Sequence, residues 1–262
     1  MFVVQVPWGE ALYSTFVPAI ELKPEYFAGL IAVLGTTISP YLFFWQASEE
    51  VEEIESSSTE NALKESPLQA PEQLQRIKAD TYIGMGFSNL IAFFIILTTA
   101  VTLHAHGVTD IQSSAQAAEA LRPIAGNFAY ALFTAGIVGT GLLAVPVLAG
   151  SVAYAVSGVF GWNASLERKP LQAKRFYGIL AVTTLMGLSL DFTPIDPIKA
   201  LFWAAVVNGV LAGPVMVVIM LMATNSAVMG QFIVSRRLKL TGWLATAVML
   251  IAAGGLFATW GK

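Results

Sequence analysis

Gly35-Thr36-Thr37-Ile38-Ser39-Pro40 (GTTISP) lies at the middle of a stretch of 22 residues, Tyr26 to Ala47, that carries no charged side chain. A helix crossing a bilayer needs an unbroken hydrogen-bond ladder, because hydrocarbon offers amides and carbonyls no other partner. Pro40 has no amide proton, and its ring clashes with the carbonyl of Thr36. Gly35 adds backbone freedom, and Thr36, Thr37 and Ser39 add hydroxyls. The pattern predicts a discontinuous helix over 26–54, broken near mid-membrane. Backbone freed at that depth survives only under protein or a water-filled cavity, where its carbonyls become cation ligands. A plain proline kink patched by serine and threonine side chains is the competing reading.

Composition decides the class around this break. The 262 residues are 56% hydrophobic and 12% charged, with a mean hydropathy of +0.68. A soluble domain carries about 25% charge, so the chain reads as an all-α, polytopic membrane helix bundle in one transmembrane domain, 1–262. It has no cysteine, which excludes disulfides and thiolate metal centres. With a net charge of −3 and no basic patch bearing interleaved aromatics, nucleic acid is not an expected partner. Inside the charge-free stretches there is no Asp, Glu, Lys, Arg, His or Cys, so an intramembrane enzyme has no nucleophile or acid/base pair to work with. No resident cofactor is expected.

Spans of about 20 apolar residues cross the hydrocarbon core. Besides 26–47, such stretches are 82–103, the long interval between Arg122 and Glu167, the short 176–190, 200–222 and 240–260, six in all. Pro146, among Gly136, Gly139, Gly141 and Gly150, predicts a bend in the third. Phe2 to Trp8 read as the last turns of a helix whose beginning is absent. The segment 48–80 holds nine acidic residues against three basic ones and reads as an acidic cytoplasmic loop, its EEVEEIE start extending the preceding helix by a turn or two. Glu49, Glu50, Glu52 and Glu53 there read as a solvated helix end rather than a cation lure. Phe43 to Trp45 read as packing or interfacial aromatics. His104, His106 and Asp110 fall in a polar loop on the opposite side.

Lys and Arg fix the orientation. With 48–80 inside, ten of them (Lys64, Arg76, Lys78, Arg168, Lys169, Lys174, Arg175, Arg236, Arg237, Lys239) are cytoplasmic and four are not.

LGTTISPYLFFWQASEEVEE (34–53) resembles the sixth helix of the Nramp divalent-metal transporters. LFTAGIVGTGLLAVPVLAGSVAYAVSGVFGW (132–162) looks like that family's eighth helix, and NGVLAGPVMVVIMLMATNSAVMG (208–230) like its tenth. The resemblance implies a leucine-transporter-type fold, of which this chain would hold the second inverted repeat, helix five's end through helix eleven. It implies a secondary transporter carrying a divalent metal as substrate across the bacterial plasma membrane. The lipid bilayer, the metal ion and a missing N-terminal half would be its partners.

On this resemblance Pro40 matches the proline of the sixth-helix motif. Ser39 then stands where the family has a methionine, and the Thr36 carbonyl where it has a backbone ligand. Tyr41 and Gln46 replace two histidines. Asn208 lies two residues out of register with a glutamine that reaches the ion, and a hydrogen bond to a neighbouring helix is the other account of it. Hydroxyl and carbonyl oxygens in place of a thioether suit harder ions, which shifts the expectation from manganese and iron toward magnesium. The family's Asp-Pro-Gly carboxylate has no counterpart, since Asp196 of IDP (195–197) sits in a short loop. The same fold with another cargo, such as sodium-coupled amino acid uptake, and a non-transporting scaffold or half-subunit remain the alternatives.

Overall fold

A computed structural model describes residues 6–260, apart from 18, 58, 104–106, 108–110, 112 and 120. All of its regular structure is helical: α1 (Trp8–Phe16), α2 (Pro24–Thr37), α3 (Pro40–Ser56), α4 (Ala70–Thr102), α5 (Ser114–Glu119), α6 (Arg122–Ala125), α7 (Ala129–Phe160), α8 (Lys174–Ser189), α9 (Pro197–Ala223), α10 (Ser226–Met229) and α11 (Arg236–Thr259). Five stretches are long and apolar enough to cross a membrane: 24–56, 67–102, 126–160, 197–223 and 236–259. The protein is a polytopic helical membrane bundle.

Two packed groups hold six of these helices. In the first, α2, α9 and α11 bury Ala28, Ile31, Ala32, Ala205, Val206, Ala252, Ala253 and Leu256. Lipid tails are as apolar as leucine, so helices in a bilayer associate through close packing rather than hydrophobic expulsion, and small residues set how close they come. Ala205, Gly209 and Gly213 recur every fourth residue along α9. A Cβ built on Gly35 would fall on the Ala205 carbonyl oxygen and the Gly209 backbone, and one built on Gly209 would fall on the Ile31 carbonyl. Backbone therefore meets backbone where α2 crosses α9.

In the second group α3, α7 and α8 enclose Ala153, Tyr154, Ala173 and Phe176, with Trp45 against them. Trp45 lies on Gly150, whose missing side chain leaves room for the indole, and its ring stands 5.7 Å from that of Tyr154, edge to face. Of the aromatics expected to pack, Trp45 does so, while Phe44 stays 46% exposed.

The ends of the bundle are well defined. Pro24, Phe202, Trp203, Leu256 and Trp260 line one cavity, so α2 and α9 start, and α11 finishes, at the same end. At the other end the Glu52 carboxylate meets the Leu166 amide, and Lys64 reaches the Ala227 carbonyl at 3.5 Å. The loops before α4, α8 and α11 thus gather together.

Two sequence-based expectations need correction. Residues 70–80 are helix, not loop: Pro71 near the start of α4 is followed by good helix formers with no breaker, and the helix runs 33 residues, about 50 Å, well beyond a bilayer core. The helix end expected at Phe2 to Trp8 falls largely on residues 1–5, outside the described set, and the first described helix is Trp8–Phe16. Of the six expected spans, the fourth falls short, since α8 has 16 residues and rises about 24 Å. Its N-terminal Phe176 packs on Tyr154, 4.8 Å between rings, whereas α9 starts at the opposite end. A 3₁₀ turn, Leu190–Phe192, follows α8 before the loop into α9. α7 is continuous through Pro146. His104, His106 and Asp110 lie outside the described residues.

Candidate functional site

The predicted discontinuity is present. α2 ends at Thr37 and α3 starts at Pro40; between them Ile38 (φ −113°, ψ 72°) has left the helical region and Ser39 (φ −87°, ψ 118°) is extended. Pro40 at the first position of α3 gives up no amide the helix could have used. Ser39 is 2% exposed, and its hydroxyl lies 2.9 Å from the Gly35 carbonyl and 3.0 Å from that of Thr36. One proton cannot serve two acceptors fully. The backbone between the half-helices is held by Ile38 N donating to Leu34 O at 2.7 Å and Leu42 N to Ser39 O at 3.0 Å. Among the described residues no donor reaches the carbonyls of Thr37 or Ile38.

Gly35, Thr36, Ser39 and Pro40 are therefore brought together. The Thr36 hydroxyl turns back onto the Val33 carbonyl at 2.8 Å, leaving the Thr36 carbonyl as the atom facing Ser39. Tyr41, half-buried, opens α3 beside them. Gln46 is elsewhere: about 9 Å further along α3, exposed, its amide 3.4 Å from Thr81 Oγ1 on α4. Asn208 precedes Gly209 at the α2–α9 crossing and is half-buried. The expected hydrogen bond to a neighbouring helix is absent, for its side chain bonds to no described residue.

Chemically, this is a cluster of neutral oxygens with lone pairs to spare. Among the described residues there is no grouping of three or more acidic, histidine or cysteine side chains that could hold a metal. Asp196 is no substitute carboxylate: it caps α9, accepting from Ile198 N at 2.8 Å and Lys199 N at 3.3 Å.

One group escaped the sequence reading. Glu52 is not part of a solvated helix end; it is 9% exposed and accepts from the Tyr154 hydroxyl at 2.6 Å and the Leu166 amide at 3.2 Å. It ties α3 to α7 and to the following loop. Spacing carried only part of the signal: Glu52 is seven residues from Trp45 and shares its helix face, but the partners that bury it are distant in sequence. Glu50 and Glu53 pair with Arg76 of α4, Glu50 at 3.1 Å, and Glu60 lies 3.9 Å from the same guanidinium.

A helix opened at residues 38–39, crossed by α9 at Gly35 and followed by a tenth-helix-like Asn-Gly segment, agrees with comparisons made on sequence. The profile of the natural resistance-associated macrophage protein-like (Nramp) family matches residues 1–259. The chain belongs to the Nramp family. It is 23% identical over 248 residues to the divalent metal cation transporter MntH of Deinococcus radiodurans, a match covering 94% of this chain and 52% of that protein. With the MntH of Klebsiella pneumoniae it shares 25% identity over 229 residues, 86% of this chain and 49% of that one. This Nramp chain thus spans about half the length of the curated relatives it matches.

Proposed function

We propose that the chain forms part of a secondary transporter of divalent metal cations, with the cargo held at the α2–α3 break. The observation that carries this is the set of under-bonded carbonyls, Gly35 to Ile38, gathered around a buried Ser39 within a membrane-spanning segment. Leaving them empty in a low-dielectric site costs about 1–3 kcal/mol per group, and a cation offsets that cost. The Thr36 carbonyl and Ser39 Oγ are the direct ligands in this reading; Gly35, Pro40 and Tyr41 shape the site, and Asn208 supplies a further oxygen. Gln46 is too far along α3 to share it.

Hard oxygens favour an ion that keeps part of its water, magnesium ahead of manganese or iron. A doubly charged cargo also needs a carboxylate that none of these residues supplies. The chain therefore acts as the second inverted repeat and works with a first repeat that brings the acid. The clustering of the loops around Lys64, Leu166 and Ala227 at one end supports the placement of 48–80 in the cytoplasm of a bacterial plasma membrane, by the excess of Lys and Arg there.

The test is metal uptake into proteoliposomes by the transporter containing this chain. Ser39→Met replaces a hard ligand by a soft one and raises manganese or cadmium uptake relative to magnesium. An unchanged preference removes Ser39 from the site. The neutrality of the oxygen set favours one second reading, a sodium-coupled carrier of another cargo, which sodium-dependent amino acid uptake in the same vesicles would reveal.

A further inference from the structure

We propose that the loop between α7 and α8 is a binding site for the phosphate headgroup of an anionic phospholipid. This does not rest on the metal reading. α7 ends at Gly161, whose left-handed backbone (φ 61°) turns the chain so that Trp162 stacks on Phe160, ring centroids 4.9 Å apart and planes at 18°. Arg175 lies over the other partner of this stack, its guanidinium carbon 5.0 Å from the Trp162 ring. A cavity of about 500 Å³ opens there, lined by Trp162, Asn163, Gln172, Lys174 and Arg175. Its size is within the range of pockets that take small ligands, about 300–1,000 Å³.

Charge identifies the ligand class. Residues 161–175 hold Arg168, Lys169, Lys174 and Arg175 against one acid, Glu167. All four cations are exposed, and none forms an ion pair with a described residue. The indole supports the Arg175 guanidinium, whose donors bond to no described residue, and such a guanidinium can meet a phosphate with two hydrogen bonds. Position identifies the source. The loop directly follows a membrane-spanning stretch ending at Phe160, and Phe160 and Leu171 are 62% and 80% exposed beside the cations. Apolar side chains at the bilayer edge, an aromatic stack at headgroup height and unpaired cations are what an anionic leaflet attracts.

The experiment is native mass spectrometry of the full chain in detergent, titrated with phosphatidylglycerol or phosphatidylcholine. The chain retains phosphatidylglycerol in preference, and Lys174→Gln/Arg175→Gln lowers that affinity about thirty-fold, about five-fold arising from each cation. Arg236→Gln/Arg237→Gln, the same charge loss at the start of α11, lowers it less than three-fold. Lys174→Glu alone, which keeps the Arg175–Trp162 stack, shows the loss without disturbing the fold. Equal losses from both double variants, or none from either, overturn the proposal. Displacement of the lipid by inorganic phosphate at equal concentration overturns it in favour of a soluble anion.

Discussion

Gly35→Ala is the sharpest test of how the break is held in place. The added methyl would fall on the Ala205 carbonyl and the Gly209 backbone, atoms that no rotamer change can move. α2 and α9 must separate, and overpacking of this kind costs about 1–3 kcal/mol. Two other glycines calibrate the measurement. Gly213→Ala meets Leu250 Cδ2 at 2.8 Å, the end of a flexible side chain that can turn aside, so its effect is small. Gly29→Ala meets nothing within 4 Å and gains about 0.5–1 kcal/mol from lower backbone entropy in the unfolded chain. Thermal unfolding of the detergent-solubilised protein should rank Gly29→Ala highest, Gly213→Ala near the native protein, and Gly35→Ala lowest by on the order of 5 °C, taking about 2–4 °C per kcal/mol. Metal uptake should fall in Gly35→Ala as well, because the methyl lies one residue from the Thr36 carbonyl. If Gly35→Ala melts at or above the native protein, the helices do not meet backbone to backbone, and the account of the crossing is wrong.

Ser39→Ala strips the hydroxyl from the Gly35 and Thr36 carbonyls in a buried site, and should destabilise by about 1–3 kcal/mol in denaturant titration. Pro40→Ala removes the ring that bars a continuous helix and lets residue 40 donate to the Thr36 carbonyl; uptake should fall, and full uptake would reduce the break to a kink. Tyr154→Phe and Glu52→Ala each break the tie between α3 and α7, and a double-mutant cycle should return a coupling of about 1.5–3 kcal/mol, as for a hydrogen bond to a charged group; additivity would show that the two do not interact in the membrane. Arg76→Gln removes partly exposed ion pairs, so stability in denaturant titration should fall by under about 1 kcal/mol.

What was legible in the sequence follows from which forces act locally. The break at 38–39 could be read because proline geometry and the absence of charge are properties of a few consecutive residues. The long apolar helices could be read for the same reason. Glu52 could not be read as buried from its neighbours Glu49, Glu50 and Glu53, because its burial depends on Tyr154 and Leu166, more than 100 residues away. The helix at 70–80 was hidden by its own composition: acidic and polar residues suggested a loop, although Glu, Gln, Leu, Arg and Lys all favour helix once a proline has opened the first turn. Gly35 looked like a source of flexibility. Its function in the fold is instead to have no side chain where α9 passes, a fact that only the partner helix supplies.

The packing also gives the break a mechanical meaning that its chemistry alone does not. α2 is committed to α9 and α11 through Ile31, Ala32 and Gly35, while α3 is committed to α7 and α8 through Trp45 and Glu52. One membrane span is thus divided between two packed groups, and the division falls at Ile38 and Ser39. Helices resist bending along their length, because every turn would lose hydrogen bonds, whereas two non-helical residues rotate at little cost. A rotation of one group against the other would therefore concentrate at the residues whose carbonyls are under-bonded, and would change the distances among those oxygens directly. A cation bridging the Thr36 carbonyl and Ser39 Oγ must favour whichever arrangement brings them together, and by that differential affinity alone it biases the two groups. Cysteines introduced at Phe27 and Leu256, in the first group, should cross-link equally with and without metal. Spin labels spanning the groups, at the exposed Val33 of α2 and Phe44 of α3, should report a separation that metal changes. A separation indifferent to metal would uncouple the site from any motion of the bundle.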